Sequence, residues 1–278
     1  MTYRDILVQI DETPTSRGRA RFAAGLAGRF EAHLTGVFLK SQFLHQYMAA
    51  ESMSGMSPDM IDALLTEHLK AVDKAGEAAR MVFEAAAAET GATSEWLTIE
   101  GDAPTDLVDC ARRSDLTVFP VSATASMGQN RHSAASLALA NGGPVLVAPA
   151  DPPSGSVGRN ILIGWNGSRE ASRALHDAWP FIREADEVHV LIVSHGGLGG
   201  PEGLLQRHLE RHGVTPNIIR DSSDDASAAD VLRHQVKTLG ADLVVMGLFG
   251  RPRLAELILG GVSNDLLAEP PCPLFLSH

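Results

Sequence analysis

Apolar residues fall along this chain in two rhythms. Short unbroken runs, bounded by turn residues, alternate with longer stretches in which apolar positions return every three or four residues. The first rhythm reads as strands buried on both faces, the second as amphipathic helices. Asp5-Ile-Leu-Val-Gln-Ile-Asp11 is the first run, an apolar strand ending in an acid. Thr13, Pro14, Thr15 and Ser16 follow as a turn and helix cap. A helix then runs to about Phe30 with Phe22, Ala23, Leu26 and Ala27 on one face, and Ala32 to Leu39 returns as a strand.

The same order restarts at Asn160-Ile-Leu-Ile-Gly-Trp-Asn166. Gly167-Ser168 follows, then a helix through Ala171, Ala174, Leu175 and Ala178, then a strand from Val188 to Val193. Later, Asp115-Leu-Thr-Val-Phe matches Asp242-Leu-Val-Val-Met, and Pro144-Val-Leu-Val matches Pro273-Leu-Phe-Leu. The chain is therefore two copies of one α/β unit, residues 1–150 and 151–278, joined by the linker Asp151-Pro-Pro-Ser-Gly-Ser-Val-Gly158. About five strands alternate with helices in each copy, which predicts two doubly wound, Rossmann-like parallel sheets. The offset between copies is 155 at the first strand (Asp5 to Asn160) and 127 at the fourth (Asp115 to Asp242). The surplus falls in residues 41–90, which hold Tyr47, Met48, Met53, Met56 and Met60 and an Ala-rich helix from about Pro58 to Thr90.

The second copy carries the clearest chemical signal. An apolar run, Leu243 to Met246, ends at Gly247. Gly250 follows, then Arg251 and Arg253, then Gly260-Gly261 ahead of the helical spacing Val262, Leu266, Leu267. Glycines at a strand-to-helix turn let backbone N–H groups approach an anion, and the helix N-terminus adds a positive dipole end. The spacing is neither the dinucleotide fingerprint nor the P-loop. It resembles the nucleotide-loop motif of the universal stress proteins, Gly247-x2-Gly250-x9-Gly260. The opening strand-turn-helix of each copy is similar to that family as well, Asn166-Gly167-Ser168-Arg169-Glu170-Ala171-Ser172 especially. The resemblance covers nearly the whole chain, as a tandem protein.

That resemblance implies a strand order of 3-2-1-4-5 in each half, with the last strand pairing within the chain or in a homodimer. It implies ATP or a related adenine nucleotide, with or without Mg²⁺, cupped by Gly247, Gly250, Gly260, Gly261, Val262 and Ser263, with Arg251 and Arg253 on its phosphates. An Asp at the first strand end contacts the nucleoside in ATP-binding family members. The second half has Asn166 there, and Gly261 where Ser or Thr is usual. The first half has the acid, Asp11, but its loop, Pro120 to Leu137, lacks the paired glycines; Ser122, Thr124 and Ser126 offer only hydroxyls.

Composition narrows the function classes. The chain has 278 residues and a formal net charge of -11, which argues against a nucleic-acid partner. No apolar run approaches a membrane helix and no signal-peptide core opens the chain, so a cytoplasmic protein is expected. Cys110 and Cys272 read as small core residues in a reducing compartment. His208-Leu-Glu-Arg-His212 has metal-ligand spacing but no third ligand, and Asp221 to Asp225 reads as a helix start rather than a calcium loop. Neither a nucleophile with its base nor a Walker lysine is present. A stress-adaptation module that binds nucleotide chiefly in its second half is the first expectation. A non-nucleotide dimeric interaction protein and a weak ATPase or adenylating enzyme are the alternatives.

Overall fold

A computed structural model describes residues 2–40, 58–100, 104–121, 133–153, 156–193, 202–221, 227–248 and 261–278. The first half contributes β1 (Asp5–Gln9), β2 (His33–Lys40), β3 (Ser94–Glu100), β4 (Leu116–Pro120) and β5 (Val145–Ala148). The second contributes β6 (Asn160–Gly164), β7 (Glu187–Val193), β8 (Asn217–Asp221), β9 (Leu243–Gly247) and β10 (Leu274–Ser277). The two expected sheets are one. Its order is β3-β2-β1-β4-β5-β10-β9-β6-β7-β8, and every pairing is parallel except β5 with β10. At that seam Leu274 faces Val147, Phe275 faces Leu146 and Leu276 faces Val145, all fully buried. Two five-stranded units with apolar last strands gain more by pairing those edges than by leaving them to solvent.

Helices cover both faces: α1 (Ser16–Phe30), α2 (Pro58–Thr90), α3 (Pro104–Ala111) and α4 (Ala134–Asn141), then α5 (Arg169–Asp177), α6 (Trp179–Ile182), α7 (Glu202–Arg211), α8 (Ala228–Leu239) and α9 (Gly261–Ala268). On one face an aromatic cluster crosses between the halves. Phe30 packs edge-on to Tyr3 and Phe181 with centroids 5.1 Å apart, and Phe181 meets Phe275 at 6.1 Å. Arg29 lies over Phe30 and Phe181 and pairs with Glu184 at 3.0 Å. The Tyr3 hydroxyl donates to the Asp177 carbonyl at 2.7 Å.

The repeated aspartates explain themselves. Asp115 Oδ2 accepts from the backbone N–H of Arg4 and Asp5, while Asp242 accepts from Gly158, Arg159 and Asn160. Each acid precedes the fourth strand of its half and fastens the start of the first, at the edge of the sheet away from the strand C-termini. The two halves differ most in α2. It spans 33 residues against 10 in α7 and packs along α1. Gly36 on β2 makes room for it, because a Cβ there would lie 2.7 Å from Phe83 and 2.8 Å from Trp96.

Candidate functional site

In a doubly wound sheet, ligands sit beyond the strand C-termini where the order reverses. In the second half that place lies between β6 and β9, which pair in parallel with Gly164 opposite Met246. The chain leaving β6 turns at Asn166, whose Oδ1 accepts the Ser168 backbone N–H at 3.0 Å. Ser168 then caps α5 by accepting from the Ala171 N–H at 3.1 Å. Asn166 is exposed at the mouth of the crevice.

Beside it, β9 ends at Gly247, and here the need for glycine is steric. A Cβ would lie 2.5 Å from the Ala171 nitrogen and 2.7 Å from the Glu170 carbonyl oxygen, inside the backbone of α5. The N-terminal turn of α5 therefore rests directly on the end of β9. Beyond Leu248, whose N–H donates to the Ser277 carbonyl at 2.8 Å, the loop leaves the described residues. Gly250, Arg251, Arg253 and Gly260 lie in that stretch. The description resumes with α9 at Gly261, where Val262 is half-buried and Ser263 is buried.

The first half builds the same corner differently. Asp11 closes the same turn, its Oδ1 accepting the Thr13 N–H at 3.0 Å and both the Thr13 and Ser16 hydroxyls. Its other oxygen, Oδ2, is taken by Arg19 at 2.9 Å. Arg19 is almost wholly buried, with Nε donating to the Gln9 carbonyl at 2.7 Å and Nη2 to the Ser16 hydroxyl at 2.9 Å. Burial alone would raise the Asp11 carboxyl. The Arg19 guanidinium and the Ser16 and Thr13 hydrogen bonds outweigh it and hold the group below its ordinary value. Burial lowers Arg19 in turn, against the pull of Asp11. A guanidinium starts so high that it stays cationic, so the pair is ionic. Asp11 is thus a member of an internal ion pair, not the free acceptor its position suggests. Ser16, expected in the helix cap, serves this network. The N-cap is Thr15, and it makes no side-chain cap bond.

The start of α4 is closed in the same self-sufficient way. Ser133 and Ser136 form a reciprocal capping box, Ser133 Oγ accepting the Ser136 N–H and Ser136 Oγ the Ser133 N–H, both at 3.0 Å. Counted back by 127, Gly260 and Gly261 correspond to Ser133 and Ala134. The intervening Ser122, Thr124 and Ser126 lie outside the described residues. Arg19 and the capping box were missed as site features, although each leaves a trace. Arg19 shares the helix face of Phe22, Ala23 and Leu26, and a cation on an apolar face must find a partner. Ser-x-x-Ser ahead of an apolar run is a variant of the capping-box pattern.

Other candidates settle into structural roles. His208 and His212 pack edge-on with ring centroids 4.8 Å apart, joined by His176 and Trp179. Burial first, then the neighbouring His212, His176 and Arg211, lowers the His208 ring. Among the described residues no group of three or more potential ligands converges on a metal position. Ser227 caps α8, as expected of a helix start after Asp221. Burial pushes the Cys272 thiol up to about 12, so it is inert. Among the described residues no helix is long and apolar enough to cross a membrane.

The fold is that of the doubly wound α/β proteins, a class in which ligands sit where the strand order reverses. Residues 158–278 match the model of the universal stress protein family. The whole fold is similar to a universal stress protein from Archaeoglobus fulgidus DSM 4304, at 16% identity and a TM-score of 0.72, over 98% of this chain and 97% of that one. It is also similar to a functionally unknown protein from Pseudomonas aeruginosa PAO1, at 14% identity and a TM-score of 0.57, over 99% and 92%. No curated protein sequence matches the chain.

Proposed function

We propose that the second half binds an adenine nucleotide, ATP or a relative, in the crevice between β6 and β9, and that the chain serves as a regulatory module in stress adaptation. The observation that carries this reading is the contrast between the two helix starts. In the first half Ser133 and Ser136 satisfy two of the opening N–H groups of α4 themselves, their own. In the second, Gly260-Gly261 brings no side chain to that task, and a ligand oxygen is the natural acceptor for the first turn of α9. Gly247 lets the end of β9 sit against α5, Gly250 adds no side chain to the sequence that follows, and Arg251 and Arg253 supply charge for the phosphates. Mg²⁺ would enter on the nucleotide rather than on a protein carboxylate pair. Hydrolysis, if measured, is slow, because no base is positioned in the corner among the described residues.

The test is titration calorimetry with ATP at millimolar concentration, backed by thermal denaturation. Wild type releases heat and gains stability, roughly 1–3 kcal/mol at ligand well above Kd. Gly250→Asp places a carboxylate among the phosphates and removes both effects. A wild-type protein with neither heat nor a thermal shift contradicts the proposal.

A further inference from the structure

Three histidines meet on the second half at the far end of α5 from the crevice. His176 lies in the last turn of α5, His208 in the last turn of α7, and His212 just past the end of α7. The His208 ring centroid lies 4.8 Å from that of His212 and 5.6 Å from that of His176. Trp179, which opens α6, packs edge-on against His212 at 4.8 Å. His208 is half-buried, and the two rings that flank it are exposed. The imidazoles therefore line the outer seam where α7 meets α5 and α6. Beneath them Leu205 and Leu209 are buried in one apolar cluster with Val190 and Ile192 of β7, and Ile218 of β8 packs against it.

The charges at this seam are of one sign. The groups that act on His208 are His212 and Arg211 from its own helix and His176 from α5, while α6 presents the uncharged Trp179. The neighbouring carboxylates are already taken. Asp177 is held by Arg173 at 3.4 Å and by the Ser277 hydroxyl, and Glu210 accepts from the Gln206 amide at 2.9 Å. The last turn of a helix favours a cation, but Arg211 supplies one there. His176 Nδ1 lies 2.7 Å from the Ser172 carbonyl and must donate to it, so a second proton on that ring goes to Nε2. Neutral rings pack edge to face at no electrostatic cost, whereas a protonated His208 meets only like charges. Burial first, and then these neighbours, hold the His208 ring below its ordinary value.

We propose that the cluster is an acid-sensitive latch, in which neutral imidazoles hold the last turn of α7 to α5 and α6 and their protonation loosens it. The sign follows from His208, whose folded-state value lies below the unfolded one. The hold is fully present above the unfolded value and is lost as pH falls through the folded one. Histidine is the side chain whose ordinary range places such a change between about pH 8 and pH 5. The first half has no equivalent. Its α2 likewise follows the second strand of its half, but carries a single histidine, His68. Acidification thus acts on one half of the chain and spares the other.

Hydrogen exchange read by mass spectrometry on the full chain, at about pH 7.5 and about pH 5, tests the latch. A chelator in the buffer keeps metal ions off the imidazoles. After correction for the intrinsic pH dependence of exchange, protection across α7 is expected to fall at least about threefold relative to α8 and α2, the effect of one like charge about 5 Å away in water. His208→Gln keeps a polar side chain that does not titrate, and should leave α7 level with α8 at both pH values. His176→Gln, from the other side of the contact, should at least halve the drop. In an NMR titration the His208 ring should change charge below the roughly 6.5 of an unperturbed histidine. Equal behaviour of α7 and α8 on acidification overturns the proposal. So does a drop that persists in His208→Gln, or a His208 midpoint at or above the unperturbed value.

Discussion

At the corner where β1 ends, the first half satisfies itself. Arg19 fills the space beside Asp11, Ser16 and Thr13 saturate the remaining lone pairs, and Ser133 with Ser136 closes the facing helix. At the corresponding corner of the second half, the same backbone turn carries Asn166, Ala171, Ala174 and a glycine-led helix. One fold thus supports two outcomes that differ in who supplies the polar partners. Side chains do so in the first, and in the second the positions are left for something else. Shared topology therefore says little about whether a corner binds, and a few side chains in the turn and helix that follow the strand decide it.

That contrast can be broken from either side. The largest effect belongs to Arg19→Met, which strands the Asp11 carboxylate without its cation. Removing one partner of a buried pair costs 3–5 kcal/mol in typical cases, and because the Asp11 side chain is 22% exposed we expect about 3 kcal/mol by denaturant unfolding. Adding Asp11→Asn, which recreates the neutral second-half chemistry, should restore more than half of the loss. A double variant no more stable than the single one would show that Arg19 acts by packing alone. Next in size is Gly247→Ala, which pushes a Cβ into the α5 backbone and should cost about 2 kcal/mol as overpacking. A change within measurement error would mean that the close approach of β9 and α5 relaxes freely. Smallest is Ser133→Ala, expected to lower stability by about 1 kcal/mol as a lost helix cap. Unchanged urea midpoints for that variant would remove self-capping from the comparison.

Much of this architecture was legible before any coordinates. The repeat, the strand-helix alternation and the long helix ending near Thr90 follow from apolar spacing alone, because strands buried on both faces and amphipathic helices leave distinct periods. The merging of two sheets into one was not legible. Val145 to Val147 and Leu274 to Leu276 read equally well as edges awaiting another chain, and only their register shows that they meet each other. At the site, Asn166, Gly247 and Asp11 were identified by position, but their roles turned on contacts that spacing does not reveal. Gly247 reads as a phosphate-loop glycine and proves necessary for helix packing. Asp11 reads as a ligand acceptor and proves to be the partner of an arginine one helix turn inside α1. Long-range polar pairing leaves no periodic trace, so sequence can name the participants while their assignments wait for geometry.

The antiparallel seam between β5 and β10 has a geometric consequence for the whole chain. Because polarity inverts there, the C-terminal ends of β1 and β4 open on one rim of the sheet, and those of β6 and β9 open on the opposite rim. The same inversion brings the end of β5 onto the rim where β6 begins. The connecting segment therefore only has to step sideways past β10 and β9, three strand spacings or about 14 Å, with no helical return across a face. It lies against α1 on the way, Pro152 beside Gly18 and the Val157 carbonyl on Arg29. The two crevices consequently face away from each other. Anything bound in the second-half crevice therefore lies on the far rim from the Asp11–Arg19 pair, so a change at one corner reaches the other only through the strands of the shared sheet.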